Sequence, residues 1–519
     1  MAFKITYSVL NADLTELNRE FEAALEKVRS SLGQEFPSIV AGKPFESGVF
    51  LEDRNPANRS EVLAKFHTVP VSELEALMET AEKAQKKWGF TSWQDRAALI
   101  RRAADLISER RLELSAIMTL ETGKNRLESL GDVEESADLF RYYAGQLEDS
   151  NGFSKPLARL SPNENTRSVL RPYGIFAVIS PFNFPLALAA GMSGAALLGG
   201  NSVVIKPSSE TPWCVYKLYE CLRDAGLPEG VFQVVYGGGG LLGDALVKHP
   251  KVAGLAFTGS KEIGMHLMSA ISVNYPKPAL LEMGGKNAAI VCAKADLEMA
   301  ADGCVRSAFS LSGQKCSALS RVYVHSSVRD AFVEKLVAKT KALRIGDPAL
   351  RDTYVGPVIN AKARDRHWNA VVEAKRDGKI LAGGEDIQLK PEFSGGHFVD
   401  PTIAELPKNH RLFKDELFSP FLSLTTFDSL EEAVREGSDS EYGLTAGIFS
   451  ESKEDVEYFM NHMEAGVLYS NRKTGATTGA WPGVNSFCGW KGSGSTGKGG
   501  CGPYYVSQFM REQSQTRME

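Results

Sequence analysis

The sequence predicts an α/β protein with two doubly wound parallel-sheet domains and a small β flap. Three observations lead there. Short apolar runs alternate with helical patterns from residue 175 to 282, and the alternation resumes at residue 287. Strands that read as unbroken apolar runs between helices belong to parallel sheets covered on both faces. The chain has 519 residues, too many for one ordinary domain.

The elements follow in order. Asp13 is placed to cap a first helix, with Glu16 three residues on and Leu14, Leu17, Phe21, Ala24, Leu25, Val28 and Leu32 on one face. Gly33 stops it. Residues 42–59 are rich in Gly, Pro and Asn and read as turns and short strands. Amphipathic spacing predicts helices over 72–88, 92–121 and 126–145. Strands are then expected at 175–180, 202–205, 231–236, 254–257 and 278–282, with helices over 187–198, 211–225 and 260–270. The second half reads as a strand at 287–292, a helix at 297–310, a strand at 321–325 and a helix at 328–343. Residues 475–502 are aperiodic and rich in Gly, Thr and Ser, the composition of a structured loop.

Composition narrows the function. A formal charge of −5 offers no basic excess for a nucleic-acid backbone. No run of about 18 apolar residues is present to span a membrane, and the N-terminus lacks the pattern of a secretory signal. The seven cysteines are scattered, with no CxxC pair. That argues against a disulfide framework or a structural zinc site and points to the reducing cytoplasm. No metal is expected.

Four motifs bear on chemistry. Gly238-Gly-Gly240-Leu-Leu-Gly243 matches G-x-G-x-x-G, but no acidic residue ends a following strand, so cofactor contact and a simple tight turn both stay open. Gly492-Ser-Gly-Ser-Thr-Gly497-Lys498-Gly499 nearly matches a phosphate-binding loop but lacks the Ser/Thr that holds Mg²⁺. Cys316 follows Gly313-Gln-Lys, a setting suited to thiolate chemistry, although a lone cysteine is more often structural. Cys292 and Cys304 fall in apolar strand and helix patterns and read as core. Glu282 ends an apolar strand before two glycines. Burial there would lift its pKa towards that of a neutral-pH base, and a carboxylate satisfied by backbone amides is the other reading.

Together these residues resemble the NAD(P)-dependent aldehyde dehydrogenase superfamily, from about residue 36 to the C-terminus. The carrying motifs are Pro181-Phe-Asn183-Phe-Pro185, Val204-Ile-Lys206-Pro207, Phe257-Thr-Gly259-Ser260, Leu281-Glu282-Met-Gly-Gly-Lys, Gly313-Gln-Lys-Cys316, Glu416-Leu-Phe418-Ser-Pro420 and Tyr442-Gly-Leu-Thr. Within that superfamily the chain is most similar to 1-pyrroline-5-carboxylate dehydrogenases. The grounds are Ser317 after Cys316, the run Asn471-Arg-Lys, then Thr478-Gly479-Ala480 and Gly483-Val-Asn-Ser-Phe487, and Gly500-Cys-Gly-Pro503-Tyr504.

The resemblance implies a Rossmann-like cofactor domain (1–150 and 168–283), an oligomerisation hairpin (151–167), a catalytic domain (284–484) and a C-terminal segment (485–519) that completes the active-site mouth and the flap. It implies Cys316 as nucleophile, Asn183 and the Cys316 N–H as oxyanion donors, Glu282 as the base for hydrolysis, and Lys206 beside the adenosine ribose. The cofactor would also meet Ser180, Pro181, Phe182, Ser209, Gly243, Phe257, Gly259, Ser260, Glu416 and Phe418. Ser317, Gly479, Ala480 and Phe487 would receive the substrate. The implied cofactor is NAD, with NADP open because Ser209 stands where NAD-preferring relatives often carry an acid. The implied substrate is glutamate semialdehyde, or alternatively another semialdehyde or an aliphatic aldehyde. Strand-like tails at 151–166 and 504–516 imply a homodimer or higher assembly. A second Thr-Gly-Ala, Thr474-Gly475-Ala476, lengthens the anchor loop. Its register is placed on Gly479 and Ala480 by their distance to Phe487. Cys488 departs from the family pattern, as a tolerated substitution or a thiol open to oxidation.

Overall fold

A computed structural model describes residues 15–519. The Asp13 cap and Leu14 lie outside them. The first helix, Thr15–Arg29, buries Phe21, Leu25 and Val28.

The first large sheet contains β1 (Ile175–Ile179), β2 (Ser202–Lys206), β3 (Phe232–Val234), β4 (Val252–Thr258) and β5 (Ala279–Glu282). All pairings are parallel, and the order is β3-β2-β1-β4-β5. Successive side chains point to opposite faces, and both faces are covered. Phe176 and Val178 pack with helices Trp93–Glu109, Arg126–Asp149 and Ala187–Leu198. Ile175 and Ala177 pack with Leu74–Phe90 and Lys261–Ile271. This two-sided burial is why the strands read as continuous apolar runs.

The second sheet contains β6 (Asn287–Val291), β7 (Leu319–His325), β8 (Lys379–Ala382), β9 (Thr402–Glu405), β10 (Phe421–Phe427), β11 (Thr445–Phe449) and β12 (Val467–Ser470). Its order is β8-β9-β10-β7-β6-β11-β12. Only β8 is antiparallel to its neighbour. Ala288 and Ile290 face one helical layer, Ala289 and Val291 the other.

Two expectations are corrected. The helix expected over 92–121 is two, Trp93–Glu109 and Arg111–Thr122. They meet at Arg110, which leaves helical geometry (φ −91°, ψ 10°) and turns its guanidinium to Asp224 at 2.6 Å. The flap strands are also shifted: Glu164–Pro172 pairs antiparallel with both Ser154–Pro156 and Met510–Met518. Among the described residues no helix is long and apolar enough to cross a membrane.

In an open parallel sheet, ligands bind beyond the carboxyl ends of strands where the strand order reverses. Here that point lies between β1 and β4. The carboxyl ends of β1, β2, β4 and β5 lead to Ser180–Asn183, Lys206, Gly259–Ser260 and Glu282. The amino ends of β7 and β10 are preceded by Cys316 and by Glu416–Phe418.

Candidate active site

Cys316 lies in a tightly held loop. The Lys315 carbonyl accepts the Ala318 N–H at 3.0 Å. Asn287, buried at the start of β6, donates its amide to Cys316 O (2.7 Å) and Ala318 O (2.8 Å), while its own oxygen accepts the Thr445 N–H at 3.0 Å. Gly285 passes so close to Cys316 O that a Cβ there would sit 2.5 Å from it, so only glycine fits. Burial, then the carboxylates of Glu416 and Glu282, push the Cys316 thiol up to about 12, against the pull of the Ser317 and Cys316 N–H groups. In this state the sulfur is a thiol, and its proton must leave as a bond to carbon forms.

Glu282 closes β5. Burial lifts its carboxyl to about 8, opposed by an N–H from Gly489, and Oε2 is buried with no hydrogen-bond partner. This is the raised pKa expected of a base working near neutrality. Glu282 and Cys316 line one cavity of about 390 Å³. Asn183 follows β1 and is 3% exposed, with Phe184, Ala187 and Leu188 next along the chain in the cavity wall.

A second group of residues lies at the strand-order reversal. Burial brings the Lys206 ammonium down to about 8, and it donates to Pro207 O at 2.9 Å. Gly243 closes a short turn, Gly239–Gly243, against the Lys206 stem. Ser180 Oγ is buried without a partner. Ser260 caps helix Lys261–Ile271 by accepting the Ile263 N–H, so the positive end of that helix lies at the carboxyl end of β4. Burial also raises Glu416, to about 7, against a 2.9 Å hydrogen bond from Gly285 N–H and the charges of Lys286 and Arg366. The rings of Phe182 and Phe418 meet edge to face, 5.8 Å apart. An orphaned hydroxyl, a buried ammonium and a helix start at Ser260 suit a nucleotide carrying hydroxyls and phosphates. Pro181 and Ser209 lie on the turns after β1 and β2. The next carboxylate, Glu210, is engaged by Asn360 Nδ2 at 2.9 Å. The Phe257 ring packs against Gly259 and Gly264 and is 3% exposed.

The remaining cavity wall includes Ser317, Thr478, Gly479, Ala480 and Phe487. Gly479 adopts φ +96°, which favours glycine. Arg472 holds the turn by donating to Thr478 O and Gly479 O, each at 2.7 Å. Of the repeated Thr-Gly-Ala, Gly475 and Ala476 are buried, whereas Thr474, Gly479 and Ala480 line the cavity. Cys488 is half-buried, and its thiol donates to Gly466 O at 3.3 Å.

Sequence reasoning missed Glu128 and the side chain of Lys315. Lys315 Nζ lies 3.3 Å from Glu128 and 2.7 Å from Ser310 Oγ, and all three line the cavity. Glu128 sits in the first turn of Arg126–Asp149, where an acid is expected for helix reasons alone. Only the fold brings it to Cys316.

A half-buried cysteine and a carboxyl of raised pKa in one cavity, with Lys206, Ser260 and Glu416 at the adjoining strand ends, are the chemistry of a cysteine-dependent oxidoreductase of aldehydes. The aldehyde dehydrogenase family model matches residues 45–514, and the chain belongs to that family. It is 36% identical over 510 residues to a 1-pyrroline-5-carboxylate dehydrogenase of Geobacillus sp. (strain WCH70), covering 97% of each chain. It is also similar to the structure of a 1-pyrroline-5-carboxylate dehydrogenase from Thermus with bound NAD (TM-score 0.92, 31% identity, 100% of both chains). A third likeness is to proline utilization A from Bdellovibrio bacteriovorus (TM-score 0.93, 34% identity), where the match covers 99% of this chain and 54% of that one.

Proposed function

We propose that the chain oxidises L-glutamate γ-semialdehyde, the open form of 1-pyrroline-5-carboxylate, to L-glutamate with NAD, the step that completes proline catabolism. One observation carries the reading: the cavity that holds Cys316 and Glu282 also holds donors for a carboxylate and an acid for an ammonium. Ser317 O–H and the Gly479 and Ala480 amides suit the α-carboxylate. Glu128 carries the opposite charge to the α-ammonium. The names of the full-length relatives agree.

In this reading the Cys316 sulfur adds to the aldehyde carbon as its proton passes to solvent water. Asn183 and the Cys316 N–H hold the resulting oxyanion. Lys206, Ser180, Ser260 and Glu416 would hold NAD, which would supply the hydride acceptor. The oxidised substrate stays as a thioester on Cys316. Glu282 then takes a proton from water, the water oxygen bonds to the acyl carbon, and the carboxylate leaves as sulfur regains its electron pair. Phe182 and Phe418 wall the nicotinamide side, and Phe487 closes the substrate side.

The direct test is NAD and NADP reduction across ω-semialdehydes with and without an α-amino acid head. Higher kcat/KM for the plain aldehydes would sink the substrate assignment. Removing one donor to a charged group costs about 1.5–3 kcal/mol. Ser317→Ala is therefore expected to raise KM for glutamate semialdehyde about tenfold or more, with little change for a plain aldehyde of equal length. Equal losses on both would reduce Ser317 to a support for Cys316. Ser209→Glu is expected to weaken NADP more than NAD, because the new charge repels a 2′-phosphate. Titrations that move both nucleotides equally would place Ser209 away from the ribose.

The half-buried strand Glu164–Pro172 and the largely exposed strand Met510–Met518 pair in one small sheet, with Leu160 97% exposed beside it. We infer a homodimer or higher assembly through this flap, checked by light scattering. The seven unpaired thiols suit the cytoplasm.

A further inference from the structure

Resting on the substrate reading above, we propose that Thr477 is a positioning residue that sets the preference for aldehydes bearing a carboxylate head. It does so by locking the anchor loop to the nucleophile loop. The carboxylate donors come from two separate elements. Ser317 precedes β7, whereas Gly479 and Ala480 follow β12. A carboxylate gripped from both sides binds well only if the gap between them is constant.

Thr477 spans that gap. It is fully buried, and its hydroxyl donates to the Ser317 carbonyl at 2.8 Å. Its own N–H donates to Ser307 Oγ at 3.1 Å, and Ser307 Oγ lies 3.3 Å from Thr478 Oγ1. The extra unit just before it is seated as well, with Ala476 N–H donating to Gly303 O at 3.1 Å. The lengthened loop thus returns to register at Thr477.

The reacting centre is secured separately. Cys316 O and Ala318 O are held by Asn287, and Lys315 O by the Ala318 N–H. Of the three carbonyls from Cys316 to Ala318, Thr477 holds the middle one, on the residue expected to meet the carboxylate. Loss of its hydroxyl therefore disturbs the carboxylate grip and leaves the nucleophile in place.

Thr477→Val keeps the side-chain shape and removes the donor. It is expected to raise KM for glutamate semialdehyde about tenfold, the scale of one lost interaction. The kcat/KM for an unsubstituted five-carbon aldehyde should stay within about twofold, and Thr477→Ser should restore the semialdehyde KM. Equal losses on both aldehydes, or no change on either, would overturn the proposal while leaving the substrate reading intact. A wild type with no preference for the semialdehyde would overturn that reading, and this proposal with it. If Thr477→Val does not fold, Ser307→Ala removes the acceptor for the Thr477 N–H. It is expected to shift selectivity the same way, and unchanged selectivity there would overturn the proposal.

Discussion

Cys316→Ala is expected to lower aldehyde oxidation by about four orders of magnitude or more, the scale of losing a covalent nucleophile. Nucleotide affinity should stay close to wild type. The loop is held through main-chain carbonyls, by Asn287 and by the Ala318 N–H, and those bonds do not involve the sulfur. Removing Sγ therefore leaves the loop's supports in place. The groups proposed to hold the nucleotide, Lys206, Ser180, Ser260 and Glu416, belong to other strands. Steady-state rates with purified variant, and nucleotide titration followed by protein fluorescence, check the two halves. Substantial residual turnover would remove covalent catalysis from the account.

Glu282→Gln is expected to separate the two chemical stages. Reduced nucleotide should appear as a burst of about one per active site, then stall, because oxidation precedes hydrolysis and general-base assistance is worth about 10²–10⁴-fold. The acyl group should be visible on Cys316 by intact mass. The substitution is mild for the fold, since Gln keeps an acceptor for the Gly489 N–H and removes a carboxylate whose burial raises its pKa to about 8. That value also fixes a pH dependence. The base works only when ionised, so hydrolysis-limited turnover in the wild type should climb as pH rises to about 8 and level off above it. The variant should lose that limb. No burst and no thioester would assign Glu282 to an earlier step, such as removal of the Cys316 proton.

Much of this architecture was legible before any coordinates. The runs 175–180 and 202–205 and the small-residue pattern over 187–198 correspond closely to β1, β2 and Ala187–Leu198, because both faces of the sheet are buried and local pattern and tertiary burial agree. The break at Arg110 was not legible. No Gly or Pro marks it, and its guanidinium turns to Asp224, far along the chain.

The sequence by itself determined the alternating α/β plan, the chemical types at the site and their order along the chain. These rest on local periodicity and on motifs only a few residues long. Tertiary structure alone decided which groups meet. It put Glu128 and Lys315 in the same cavity as Cys316, chose Gly479 and Ala480 over Gly475 and Ala476, and buried Glu282 enough to lift its carboxyl to about 8. The physical reason is that desolvation and hydrogen-bond partnership are properties of surroundings. Those surroundings are assembled from strands and loops up to hundreds of residues apart, beyond the reach of any local pattern.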